Sequence, residues 1–180
     1  DNSIYYSQID RIFFACHNLL MYTLKLIIPF QLSGYYQYPD LVNGGIPYYY
    51  YLAAVLVLVL AALVFYSLKW NKDVVFTGGF FVASIVLVLQ AIPVGPTLFS
   101  ERYSYIPSFG LNLLIGIGIV NLLERKNITT TYTVYVIMLA YSAFLLNYTI
   151  KRCAVWKDSI TFWSDVINQN GKVPVAYNNR

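Results

Sequence analysis

Charge is what this sequence has least of. Asp, Glu, Lys and Arg make up 11% of its 180 residues, where a soluble domain carries roughly a quarter. The deficit is gathered into long uncharged runs, which points to lipid rather than to a large aqueous core. Histidine occurs once, at His17, so no multi-histidine metal site can be assembled from the chain, and no metal is expected. The two cysteines, Cys16 and Cys153, are too few for a disulfide framework and match no metal-ligand spacing. No cleavable signal pattern, nucleophile–base pair or phosphate-binding glycine loop is present, and no cofactor is expected. The net charge of +4 comes from scattered Lys and Arg with no run or face that would track a nucleic-acid backbone, so nucleic acid is not an expected partner. The chain starts at Asp1 without a methionine and reads as a fragment or a processed product.

What is present is apolar and aromatic. Hydrophobic residues make up 58%, and the 18 Tyr, 11 Phe and 3 Trp cluster at the ends of apolar runs, where amphipathic rings settle at lipid headgroups. Five runs are long enough, or nearly so, to span about 30 Å of hydrocarbon at about 1.5 Å per residue. They cover 12–30, 48–68, 75–93, 106–123 and 130–150. The expected fold is therefore all-α: a polytopic membrane helix bundle over 1–150 with a short tail over 151–180. The first run is the most polar, holding His17, Asn18 and Lys25. The third carries Gly79 and Ala83 four apart, a spacing that allows close helix packing, and the fourth carries Gly110, Gly116 and Gly118.

Lys and Arg set the expected orientation. Arg11, Lys69, Lys72, Arg125 and Lys126 fall on one side of alternating spans, which is taken as cytoplasmic. The loop 31–47 has neither residue, and the loop 94–105 has only Arg102; Lys151 and Arg152 run against the rule. This places both loops and the C-terminal tail outside, in an integral membrane protein of a bacterial inner membrane in preference to the endoplasmic reticulum. In the tail, 156–169 reads as an amphipathic helix with Ile160, Trp163 and Ile167 on one stripe, stopped by Gly171. Two readings compete: a helix lying on the membrane surface, and a tetratricopeptide register with Ser159, Trp163 and Val166 at the small–large–small positions and Ala176-Tyr177 opening the next repeat.

Two features bear on chemistry. Lys25 lies inside the first span, past its midpoint on the outward side. It is either a functional ion, since hydrocarbon makes such a charge costly, or a residue that snorkels to the headgroups. Arg102, beside Glu101 and followed by Tyr103 and Tyr105, either forks onto a phosphate above a tyrosine-lined groove or is a solvated interface pair with Glu101. The triplets Asn127-Ile128-Thr129 and Asn147-Tyr148-Thr149 match the N-glycosylation pattern, but one falls on the inner side and the other within a span.

Three blocks carry a family resemblance. Glu101-Arg102-Tyr103-Ser104-Tyr105-Ile106-Pro107-Ser108 resembles the acidic-Arg-Tyr-x-Tyr-x-Pro-Ser loop of the transmembrane-and-tetratricopeptide-repeat O-mannosyltransferase family and its bacterial relatives. The segment from Tyr22 through Lys25 to Phe30, followed by Leu32-Ser33 and Tyr36-x-Tyr38-Pro39, resembles an earlier segment of the same proteins. Trp156-Lys157-Asp158 with Trp163, then Ala176-Tyr177-Asn178-Asn179, resembles their entry into the repeats. The resemblance implies a C-type glycosyltransferase fold and transfer of sugar from a polyprenyl-phosphate donor to an acceptor hydroxyl outside the cytoplasm. It also implies Lys25 and Arg102 near the donor phosphate or a lipid headgroup, supported by Glu101, Tyr103 and Tyr105. Expected partners are membrane lipid, the lipid-linked donor, and proteins bound through the repeat tail. The family's catalytic acid lies in an early outer loop with no counterpart here, so no catalytic residue is carried over and no transfer is expected from this stretch alone. The competing expectation is a non-catalytic membrane subunit that anchors a repeat domain and binds partner proteins.

Overall fold

The computed structural model describes residues 6–42, 44–67, 72–89, 97–124, 127–171 and 173–180. Seven α-helices follow one another: α1 (Gln8–Ile27), α2 (Tyr48–Ser67), α3 (Lys72–Ile85), α4 (Ser108–Leu123), α5 (Ile128–Val155), α6 (Ser159–Asn170) and α7 (Pro174–Asn179). Short 3-10 turns occupy Val86–Val88 and Glu101–Ser104. Among the described residues there is no strand, and one isolated bridge joins Val42 to Gly45. The chain divides into two compact units, Asp1–Leu111 and Asn112–Arg180.

In the first unit, local chemistry sets the helix ends. Ser7 caps α1 in a reciprocal box: the Asp10 amide donates to Ser7 Oγ (3.2 Å) and the Ser7 amide to Asp10 Oδ2 (2.9 Å). The helix stops because Ile28 precedes Pro29, whose ring drives it to extended backbone at φ −127° and ψ 96°. This is three residues short of the expected span end at Phe30. α3 is likewise shorter than the run 75–93 that was expected to span. It has 14 residues and tightens into a 3-10 turn, while 90–93 lie outside the described residues. α4 starts at Ser108 rather than Ile106, since Pro107 closes the turn that precedes it.

The core of this unit is aromatic. Phe14 (0% exposed) and Tyr22 (2%) on α1 pack with Tyr38, Tyr50, Phe81, Ile85, Leu98 and Phe99. The close helix approach is not at the expected Gly79 and Ala83. It is at Gly110, where an added Cβ would lie 2.7 Å from the Thr77 carbonyl oxygen and 3.2 Å from the Phe81 amide. A side chain at Gly79 would meet nothing within 4 Å.

In the second unit α5 runs 28 residues without interruption, past the expected end at Ile150. Asn127 caps it by accepting from the Thr129 amide at 3.0 Å. The tail helix starts at Ser159, not Trp156, because Asp158 is the cap and accepts from the Thr161 amide at 2.8 Å. That bond pulls the Asp158 carboxyl below its ordinary value. Gly171 ends α6 at φ 71°, the role its position in the sequence foretold. α6 and α7 pack through Val166 and Ala176, both 0% exposed, and Arg152 ties α5 to α6 through a 3.0 Å ion pair with Asp165.

Among the described residues, α2 and α5 are long and apolar enough to cross a membrane, and α4 is a shorter apolar helix. The exposed side chains of α2 include Leu52, Val55, Leu58, Leu63 and Phe65. Water is a poor solvent for that surface, and lipid is a good one.

Candidate functional site

The two segments singled out in the sequence meet in the first unit. The final turns of α1 carry Tyr22 and Lys25; the segment 97–101 leads into the 3-10 turn that carries Arg102. Asn18, fully buried, donates through Nδ2 to the carbonyls of Leu89 (3.2 Å) and Leu98 (2.9 Å). One turn further on, the Tyr22 hydroxyl donates to the Ser100 carbonyl and accepts from the Ser100 amide, each at 3.1 Å. These contacts lay 97–100 along α1, because neutral side chains there satisfy the backbone groups of a segment without regular structure.

Tyr36 joins the two loops. Its backbone carbonyl accepts from the Leu98 amide at 2.8 Å, its ring stacks on Phe99 at 3.9 Å, and its hydroxyl donates to Glu101 Oε1. Glu101 Oε1 also accepts from the Ser33 amide at 3.3 Å. Among the contacts described, the Glu101 carboxylate is bound into the loop 31–47. Burial raises the pKa of Tyr35 in the same loop.

Lys25 is half-buried and folds back on the turn that follows its own helix. Its Nζ donates to the carbonyls of Phe30 (2.8 Å) and Gln31 (3.0 Å) and sits 4.9 Å from the Phe30 ring centre and 5.1 Å from that of Tyr36. Gln31 has φ 43°, a left-handed conformation that costs a non-glycine residue about 1–2 kcal/mol. The lysine cation clamps this strained turn. Arg102 is exposed, with its guanidinium 5.1 Å from the Tyr103 ring centre and 3.4 Å from the Tyr103 hydroxyl. Tyr105 does not join the cluster: it is 73% exposed and its ring meets Phe109 at 6.1 Å.

Tyr36 therefore links Lys25 to Glu101, which opens the 3-10 turn that carries Arg102 and Tyr103; Tyr105 lies outside this link. Sequence reasoning missed Tyr36 and Ser33 as the link. Both lie in the stretch that carries the family resemblance, but nothing there assigned them a part in joining the loops. It also missed the clamp, although a lysine in the last helical turn often meets terminal carbonyls. Near the middle of α1, His17 packs 4.5 Å from Tyr50, and its Nδ1 and Asn18 Oδ1 are buried without a hydrogen-bond partner among the described residues. Compared with protein-family models, curated proteins and solved structures, the chain matches none.

Proposed function

We propose that this chain is the C-terminal part of the membrane domain of a glycosyltransferase that draws sugar from a polyprenyl-phosphate donor. α2 and α5, with the shorter α3 and α4, are the helices of its bundle. α6 and α7 open a tetratricopeptide domain outside the cytoplasm of a bacterial cell. The observation that carries this reading is the meeting of Tyr22 and Ser100, 78 positions apart, which joins the two membrane segments that resemble the family. There a side chain of α1 pairs both backbone groups of Ser100.

In this reading the acceptor hydroxyl attacks the anomeric carbon, its new C–O bond forming as the bond to the phosphate oxygen breaks. The phosphate leaves with the electron pair. Arg102 receives the departing charge, since an exposed guanidinium braced on a tyrosine ring offers a planar fork to phosphate oxygens. Lys25 adds positive potential from its clamped position, and Glu101 holds the loop through Tyr36. The acidic base that takes the acceptor proton belongs to an outer loop with no counterpart in these 180 residues.

The test is transfer by the full-length protein in vesicles with a lipid-linked sugar and a hydroxyl acceptor. Arg102→Ala should lower turnover by well over tenfold while changing stability by less than about 1 kcal/mol, as befits an exposed ion. Wild-type turnover in that variant would remove Arg102 from the site. Absence of transfer by the wild-type protein, with donor binding also absent, would favour the anchoring subunit. Lys25→Ala is a poorer probe, because it also releases the turn at Gln31.

A further inference from the structure

The two flanks of α1 touch each other. The hydroxyl of Tyr6, just before the helix, donates to the carbonyl of Pro39, in the loop after it. The Tyr6 ring stacks on Tyr38 at 5.6 Å, and both rings meet Phe14, at 5.0 and 5.7 Å. Tyr6 and Tyr38 are each 7% exposed. At the opposite end, Lys25 grips Phe30 and Gln31. The segment 28–39 therefore runs back along α1 from its last turn to its first half. α2 begins there too: Tyr51 packs on Phe13 at 4.6 Å, and Tyr50 on Phe14 at 5.0 Å and on His17 at 4.5 Å.

A crossing helix does not allow this. α1 is 20 residues, about 30 Å, long, which is about the thickness of the hydrocarbon core. If it crossed, Tyr6 and Pro39 would stand at opposite faces unless the irregular segment 28–39 crossed as well. Backbone of that kind is not left facing lipid, and crossing it would need further protein to cover Phe30 and Gln31, which are exposed. The level of α2 agrees. Tyr48 to Tyr51 form an aromatic belt at the start of an uncharged helix, and residues 13–17 of α1 sit at that belt.

We infer that α1 does not cross the membrane. It lies in the headgroup layer on the side where α2 begins, with one face against the acyl boundary. That face is the stripe Ile9, Ile12, Cys16, Leu20 and Ile27, free of charge and spaced by helical turns; Ile9 and Ile12 are 66% and 60% exposed. The opposite face carries Phe14, Asn18 and Tyr22, all buried against the loops. Lipid is the occupant because the stripe adjoins α2, whose own apolar surface stays exposed along the helix. Arg11, counted with the inner loops by the Lys and Arg rule, moves to the side of Lys25 and Arg102. The inference rests on α2 being a span and not on any transferase activity.

Nitroxide labels test it in the full-length protein, reconstituted in phosphatidylcholine–phosphatidylglycerol vesicles. Cys16 is labelled in a Cys153→Ser background, and Ile9→Cys, Ile12→Cys and Ile27→Cys are each labelled with Cys16→Ser added. Depth is read from the ratio of oxygen to nickel-chelate relaxation. Labels at Leu52→Cys, Leu58→Cys and Leu63→Cys on α2 must deepen and then return, which verifies insertion independently. An interfacial α1 gives four similar shallow depths, within about 8 Å of one another. A crossing helix would separate Ile9 and Ile27 by about 27 Å along the bilayer normal, with Cys16 deepest. That profile, a label at Ile9 deep in the core, or labels shielded from both relaxants would each overturn the inference.

Discussion

Replacing Gly110 by alanine puts a methyl carbon 2.7 Å from the Thr77 carbonyl oxygen, 3.1 Å from Phe80 Cδ1 and 3.2 Å from the Phe81 amide nitrogen. Two of these three neighbours are backbone atoms of α3, so the clash cannot be relieved by rotating a side chain. The start of α4 must move away from α3 by several tenths of an ångström, and overpacking of this kind costs about 1–3 kcal/mol. Against that stands the better helix propensity of alanine, worth up to about 1 kcal/mol in a helix interior and less here, since Gly110 is the third residue of α4. The balance is destabilising by about 0.5–2 kcal/mol. Gly116→Ala is the control, because its new methyl meets nothing within 4 Å and only the propensity gain remains. Equilibrium unfolding of the detergent-solubilised protein measures both variants. Gly110→Ala should unfold more readily than wild type and Gly116→Ala at least as reluctantly, while Gly110→Leu should fall well below both. If Gly110→Ala equals Gly116→Ala in stability, α3 and α4 do not approach here as described and the reasoning fails.

Tyr22→Phe keeps the ring against Phe99, 5.5 Å away, but removes both bonds to Ser100. It should cost about 1–3 kcal/mol, chiefly through the half-buried Ser100 amide left unpaired, since the Ser100 carbonyl keeps its 3.1 Å bond from the Tyr103 amide; a double mutant with Ser100→Ala should show no further coupling, because those bonds use the Ser100 backbone. In the tail, Gly171→Ala forces a Cβ into φ 71° and ψ −124° and should cost about 1–3 kcal/mol, seen as faster amide exchange in the last turn of α6. Asp158 should titrate below the ordinary aspartate range by carbon-detected NMR. Because its folded value is lowered, its cap supports the tail above the unfolded value and is lost as pH falls through the folded one. A midpoint at or above 3.8 would contradict the cap geometry.

Hydropathy made α2 and α5 readable, because a helix apolar on most sides announces itself by composition without a partner to define its face. The tail was readable for a different reason: Asp158 and Gly171 act locally, through their own backbone neighbours. For α1 the sequence reading and the inference drawn above part for a physical reason. A run of apolar residues reports that a surface avoids water but not what covers it, and the contact on which the inference stands, Tyr6 with Pro39, joins two loops. The same holds for Lys25, whose partners are two main-chain carbonyls, groups every residue carries and no composition reveals. Small residues misled in the same way. Gly79 and Ala83 have the spacing of a packing face, yet which glycine is approached depends on where the neighbouring helix lies, and that neighbour meets α3 at Gly110. Glu101 and Arg102 are adjacent in sequence, but the carboxylate was claimed by Tyr36, 65 positions away.

The length of α5 has a mechanical consequence. Its 28 residues make a rod of about 42 Å, about 12 Å longer than a bilayer's hydrocarbon core is thick, and no glycine or proline interrupts it before Val155. The Arg152–Asp165 bond then fixes α6 to the end of that rod. Azimuth is transmitted along such a shaft. Each residue turns the helix by about 100°, so deleting one residue near Tyr148 would swing α6 and α7 by that angle and present a different side of the tail to whatever it meets. Removing seven residues, close to two whole turns, would lower the tail by about 10 Å with little rotation. The tail is thus aimed as well as attached, and its bearing is written in a residue count.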